Sequence, residues 1–270
     1  MLRANLTSAG DTFLVFDLEF SFDREAHSRY LERERDDANP RIRWPFHHVA
    51  AASAMMLTTS GAAGARQIEV VSFRTFARDE MTEREIVAKL FEVIAELPEN
   101  TTVVTYGGQS KDCAVLRAAA ITHGLQLPLQ LHARAIHYNQ PLRRHLDLAI
   151  AVKGDAPFVH MTEIAARAGI PCKLGLKAHE VGQAAERGRW SEVKAHVEMD
   201  VITCALLLGR HLYSTSVIDA SAWAADSAIG YAVLRSHAHR DYASSIEAWL
   251  AGRGAATMNE RLKVELAIAA

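Results

Sequence analysis

One apolar run that ends in two acids constrains this chain most: Thr12-Phe-Leu-Val-Phe-Asp17-Leu18-Glu19-Phe20. The four consecutive apolar residues from Phe13 to Phe16 predict a buried strand. Alternate residues of a strand point to the same face, so Asp17 and Glu19 project together from a rigid edge. Carboxylates held side by side repel each other unless a proton or a cation sits between them. Hard divalent cations such as Mg²⁺ take oxygen ligands of this kind. A D-x-E pattern is short and recurs by chance, so its meaning depends on the acids that accompany it downstream.

The chain has 270 residues, 49% of them hydrophobic, enough to bury a sizeable core. A formal net charge of −2 argues against a protein that coats duplex DNA through a broad basic face. It leaves open one that grips a single strand end. Cys113, Cys172 and Cys204 are widely spaced and form no CxxC pair, which argues against a disulfide framework or a zinc site. The first residues lack a signal-peptide layout. No apolar run approaches the roughly 20 residues that a membrane span needs. A soluble, cytoplasmic protein with no membrane partner is expected, its oligomeric state open.

Strands are predicted at 12–20, from Val49 to Thr58, from Ile68 to Phe76 and from Thr101 to Tyr106. Residues 21–45 are polar and Arg-rich, with Glu32 and Glu34 interleaved. They read as a solvated excursion with a short helix, or as a flap whose arginines meet phosphates. Thr82 and Glu85 form a capping box that opens a helix to about Leu97, closed by Pro98. Helices are also expected from about Ser110 to His123, from His160 to Ala168 and from about Trp190 to Leu212. Leu131–Ile136 and Leu146–Val152 are strand or buried segments. After residue 213 the chain reads as helical, with Gly252 and Gly254 as breaks. The sum is an α/β fold, a mixed sheet with helices on its faces.

Two more acids stand out. Asp112 follows Gly107-Gly108 in the first turn of a helix, where an Asp can merely complement the helix dipole. Asp200 lies one turn after His196, so the two share a helix face. That pair can be an ordinary surface contact. Together, Asp17, Glu19, Asp112 and Asp200 carry four negative charges. Two Mg²⁺ or Mn²⁺ ions roughly 3.5–4 Å apart would neutralise them and clamp a phosphodiester. His196, with an ordinary pKa near 6.5, suits a general base for the attacking water.

The order Asp17-Leu-Glu19, Asp112, Asp200 resembles that of the DEDD-type 3′–5′ exonucleases. Pro45-Phe-His-His-Val49, Val104-Thr-Tyr106, Arg144-His-Leu-Asp-Leu148, Cys172-Lys-Leu-Gly-Leu176 and Glu198-Met-Asp-Val201 are most similar to predicted exonucleases related to the proofreading domain of family-B DNA polymerases. The resemblance covers roughly residues 11 to 213. It implies an RNase H-like fold and a two-metal hydrolysis at the single-stranded 3′ end of DNA or RNA, releasing nucleoside 5′-monophosphates. It implies Asp17, Glu19, Asp112 and Asp200 as metal ligands and His196 as a catalytic residue. Leu18 and Phe20 are expected to face the substrate, and Lys111 and Lys173 are candidates for phosphate contact or plain surface lysines. The expected organisation is an RNase H-like exonuclease domain over residues 1–213, followed over 214–270 by a helical C-terminal extension that carries no family signal and can pack on the same domain.

The chain departs from the family pattern in three places. His196 stands where this subgroup carries Tyr, and the DEDD branch that uses His sets it one residue earlier. Gly107 replaces a frequent Asn, and Phe20 a Thr. A catalytically faded nucleic-acid-binding or scaffold module is therefore the rival reading, and a hydrolase of very short oligonucleotides a third. Among other residues, Asp147 reads as a strand-end hydrogen-bonding residue or a support for a ligand. His47 and His48 point to opposite strand faces and do not share an ion. His237 and His239 read as a solvated pair. Phe20 and Trp44 are candidates for stacking on a base, or for core packing.

Overall fold

The computed structural model describes residues 10–98, 101–132 and 145–253. Its sheet has five strands in the order β3-β2-β1-β4-β5. These are β1 (Thr12–Phe22), β2 (His47–Ser60), β3 (Gln67–Ala77), β4 (Thr102–Thr105) and β5 (His145–Asp147). β1 pairs antiparallel with β2, and β2 with β3, whereas β4 runs parallel to β1 and β5 parallel to β4. β1 is thus central and covered on both faces, which is why it reads as an unbroken apolar run.

The helices are α1 (Arg24–Glu34), α2 (Glu83–Ala95), α3 (Asp112–His123), α4 (Leu148–Lys153), α5 (Met161–Ala168), α6 (Val181–Glu186), α7 (Trp190–Ser214) and α8 (Ala222–His237). Residues 243–253 are helical as well. On one face of β1, Leu14, Phe16, Leu18 and Phe20 pack with Ile86, Leu90 and Ile94 of α2 and Val115 and Leu116 of α3. On the other, Phe13 and Val15 pack with Val201, Ala205 and Leu208 of α7. Asp17 and Glu19 continue the second set. The residues directly opposite them on β2 are Ser53 and Ala51. Paired residues of an antiparallel sheet share a face, so small β2 side chains leave room beside the two acids. β2 is short-chained further along too, and Ala50 and Ala51 let Val193 and Val197 of α7 lie close to it.

The capping box at Thr82 and Glu85 is present. Strands and helices fall where the sequence predicts them, with four differences. α6 forms in a stretch for which the sequence predicts no element. Leu146–Val152 divides into the last two residues of β5 and α4, because the buried Asp147 carboxylate caps the helix by accepting from Ala149 N at 3.1 Å. Gly252 lies inside the helical stretch 243–253 instead of breaking it. His237 is not solvated but buried, its ring centroid 4.4 Å from that of Phe73, because α8 lies against β3. Leu131 closes a short 3₁₀ turn, Leu129–Leu131. Residues 133–136 of the expected 131–136 segment, Arg144 and Gly254 lie outside the described residues.

Residues beyond 213 share the main core. Ile229, Val233, Ile246 and Leu250 pack with Leu206, Leu208 and Leu212 of α7. Two buried ion pairs reinforce that packing. Arg210 donates to Asp226 at 2.7 and 3.2 Å. Glu198, fully buried on α7, accepts from Arg240 at 2.6 Å and from the Tyr242 hydroxyl at 3.0 Å. Removing one partner of such a pair leaves an uncompensated buried charge. A fragment ending at residue 213 keeps Glu198 and Arg210 and loses both counter-charges. We expect it to lack a cooperative thermal transition in calorimetry and to bind a hydrophobic dye. A fragment that melts cooperatively near the full-length temperature would show that residues 1–213 fold as a unit.

Candidate metal centre

Asp17 and Glu19 sit past the point where β1 pairs with β4, which ends at Val15. Crevices outside the carboxyl ends of parallel strands are where open sheets bind ligands. The β1–β2 register shifts between Glu19 and Phe20, and such a bulge re-aims the side chains beside it. Asp112 reaches the same crevice from the first residue of α3. Asp200 and His196 reach it from the middle of α7.

Asp147 holds the turn before Asp112. Its carboxylate accepts from Gly107 N at 2.7 Å and Gln109 N at 3.1 Å, so it joins β5 to the β4–α3 turn. Gly107 takes a φ of +75°, which favours glycine. Gly108 is needed for another reason. A Cβ there would lie 2.7 Å from Thr105 Cβ and 2.9 Å from Asp112 Oδ2. Only a residue without a side chain lets the Asp112 carboxyl occupy its place.

The four carboxyls sense one another. Burial, then Asp112, Asp200 and Glu19, raise the Asp17 carboxyl well above its ordinary range. Burial and then Asp200 push Glu19 up to about 8, against the pull of Lys111 and Lys173. Asp112 rises to about 7, chiefly through burial, with Lys111 opposing and Asp147 and Asp200 adding to it. Lys173 Nζ lies 3.5 Å from Asp200 Oδ2. Lys111 Nζ sits 4.3 Å from the centre of the Phe20 ring.

His196 is 1% exposed. Its Nε2 lies 3.3 Å from Glu19 Oε1 and 3.8 Å from Asp200 Oδ2. One ligand atom from each of Glu19, His196 and Asp200 falls within 4.8 Å of the others. Nε2 hydrogen-bonds to neither acid in good geometry, the ring also approaches the Leu176 backbone, and Asp200 Oδ1 is buried without a partner. Burial lowers the ring's pKa, while Asp200 opposes that. Clustered acids in need of charge neutralisation, with orphaned donor atoms among them, fit a divalent cation.

A cavity of about 170 Å³ opens beside the acids, lined by Asp17, Asp200, Lys173, Tyr106, Phe158 and His160 among others. Sequence reasoning missed the last three. Tyr106 donates from its hydroxyl to Val159 O at 3.1 Å, so β4 fastens the 158–160 segment over the crevice. Of the expected substrate-facing residues, only Lys173 lines this cavity. Leu18 and Phe20, 3% and 7% exposed, face the α2–α3 core, so their side chains are not open to a substrate. Alternation on β1 already implies this, because both stand between or beside the acids on the opposite face. His47 packs on Phe20 and Phe22, whereas His48 turns to Asp23 and Glu83, as the opposite-face reading expects. None of the three cysteines is in a disulfide. Among the described residues no helix is long and apolar enough to cross a membrane.

Sheet order and acidic crevice together define an RNase H-like, exonuclease-type fold. Residues 39–251 match the family described as a predicted 3′-5′ exonuclease related to the exonuclease domain of PolB, and the chain belongs to that family. The match extends through α8, where the sequence alone carries no readable family signal, and starts after β1. No curated protein matches the chain.

Among solved structures, the family B DNA polymerase of the hyperthermophilic archaeon Pyrobaculum calidifontis is similar at 15% identity and a TM-score of 0.46, covering 83% of this chain and 29% of the polymerase. The zinc-bound complex of E. coli exonuclease I with single-stranded DNA is similar at 11% identity and a TM-score of 0.43, covering 77% and 41%. E. coli exonuclease I with a 5cy-dA13 oligonucleotide gives 12%, 0.42, 76% and 40%. The chain therefore spans well under half the length of these structures.

Two outcomes follow from the site. The folded chain holds the Glu19 proton up to about pH 8, whereas the unfolded chain releases it near the ordinary 4.5. Stability from this group is full below about pH 4.5 and is lost as the pH rises through 8. Metal-free protein should therefore melt at falling temperature between pH 5 and 8, and Glu19→Gln should flatten the slope. An unchanged slope in the variant would assign the effect elsewhere. Gly108→Ala should weaken Mn²⁺ binding at least tenfold in titration calorimetry while the far-ultraviolet spectrum is kept; unchanged affinity would show that the turn yields instead.

Proposed function

We propose that the chain is a metal-dependent 3′–5′ exonuclease that hydrolyses the terminal phosphodiester of single-stranded DNA or RNA and releases nucleoside 5′-monophosphates. The observation that carries this reading is the convergence of half-buried Asp17 and Glu19 with buried Asp112 and Asp200 on one crevice, close enough that Asp112, Asp200 and Glu19 raise the Asp17 carboxyl. Family membership supplies the reaction class. The residues that would hold two Mg²⁺ or Mn²⁺ ions are Asp17, Glu19, Asp112 and Asp200. Such ions, when bound, lower the pKa of a coordinated water and offset charge on the leaving oxygen.

The chain's own side chains have separate tasks. Lys173, beside Asp200 in the cavity, supplies a positive charge for a non-bridging phosphate oxygen. The Tyr106-held segment with Phe158 and His160 walls part of the crevice. Lys111 tempers Glu19 and Asp112 from the other side. A net charge of −2 gives no broad basic face for duplex, which favours a lone strand end.

The rival is a faded binding module, favoured by the Lys173–Asp200 contact, which neutralises an acid without metal. One assay separates the two: a 5′-labelled single-stranded oligonucleotide incubated with Mn²⁺. Stepwise shortening with mononucleotide release is expected from the native chain. Asp17→Asn and Asp200→Asn should each lower the rate at least a thousandfold while melting as cooperatively as the native chain. Metal-independent shortening, or native-like rates in either variant, would overturn the nuclease reading; retention of intact oligonucleotide without cleavage would favour the binding module.

A further inference from the structure

We infer that His196 is itself a metal ligand, sharing one ion with Glu19 and Asp200, so that the centre is a mixed nitrogen–oxygen site selecting Mn²⁺ and other borderline ions over Mg²⁺. The inference rests on the metal dependence proposed above and specifies the donor set of that site.

Three observations carry it. The ring is almost wholly buried and is not among the residues lining the cavity that holds Asp17, Lys173 and Asp200. A general base for a substrate-bound water needs to reach that water directly or through one other. Next, Nε2 points at two carboxylates, 3.3 Å from Glu19 Oε1 and 3.8 Å from Asp200 Oδ2, yet hydrogen-bonds to neither in good geometry. A buried imidazole nitrogen aimed between two acids, with a good hydrogen bond to neither, is costly unless something sits among them. Finally, one donor atom from each of the three residues lies within 4.8 Å of the others. That is the spread reachable by a single ion with ligands at about 2.0–2.4 Å.

The chain geometry that produces this is simple. His196 and Asp200 are one helical turn apart on α7, so their donors stack along one face. Glu19 closes the triangle from β1. Ala51, directly opposite Glu19 on β2, leaves the imidazole room. An imidazole donor suits Mn²⁺, Co²⁺ and Zn²⁺, whereas Mg²⁺ prefers oxygen throughout.

The test uses the full chain and Mn²⁺ alone. Electron spin-echo envelope spectroscopy of bound Mn²⁺ reads directly coordinated nitrogen without any turnover. Native protein should show ¹⁴N coupling. His196→Asn and His196→Gln should lose it while still binding Mn²⁺, with a Kd raised at least tenfold. His160→Gln, which removes the cavity's own imidazole, should keep the coupling. In calorimetry the native chain should bind Mn²⁺ at least tenfold more tightly than Mg²⁺, and the His196 variants should narrow that ratio. Bound Mn²⁺ without nitrogen coupling in the native chain, or coupling that survives in both His196 variants, overturns the inference and leaves metal dependence intact. Absence of any Mn²⁺ binding overturns both. Because the native spectrum alone reports the ligand, a variant that fails to fold does not rescue the idea.

Discussion

Repulsion among carboxyls in a shielded crevice is the constraint on which the structure turns. Placing acids out of water next to one another costs free energy, and the fold meets that cost with three devices. It raises the Glu19 and Asp112 carboxyls toward the protonated form. It supplies Lys111 and Lys173 as partial counter-charges. It leaves a gap among the donors of Glu19, His196 and Asp200. None of these is required to stabilise the sheet, whose core is apolar on both sides of β1. Local strain of this kind, sustained by a well-packed scaffold, is what a binding centre for positive charge looks like.

The scaffold shows why the acids stay together. They ride on three rigid elements: β1, which carries two of them, the start of α3 and the middle of α7. Asp147 adds a fourth anchor by tying β5 to the turn before α3. Small residues on β2 admit α7 close to the sheet, and Gly108 admits the Asp112 carboxyl. The centre is thus positioned by exclusion as well as by attraction, since a Cβ at Gly108 would meet Thr105 and the Asp112 carboxyl.

Much of this is legible in the chain. β1 reads correctly because a central strand covered on both faces must be apolar throughout, and the acids at its end then stand out. The helix carrying His196 and Asp200 follows from its apolar stripe. The misreadings have physical causes. Leu146–Val152 is a short apolar run that fits strand or helix equally well, and the tie-breaker was Asp147, a good cap followed by a helix-forming Leu-Ala-Ile-Ala. Leu18 and Phe20, expected at the substrate, have side chains turned into the α2–α3 core because strand alternation sets them opposite the acids. His237 is buried by a long-range docking of α8 on β3 that no local pattern encodes. The rim formed by Tyr106, Phe158 and His160 is invisible for the same reason: the Tyr106–Val159 hydrogen bond spans 53 positions.

α7 carries two buried acids only two positions apart. A helix turns 100° per residue, so Glu198 and Asp200 point about 200° away from each other. Asp200 is turned to the crevice and Glu198 to Arg240 and Tyr242. The helix is therefore clamped against rolling about its own axis, with one jaw in the crevice and the other in the C-terminal segment. Damage far down the chain, at Arg240 or Tyr242, would be felt as a misaimed Asp200 rather than as a local scar.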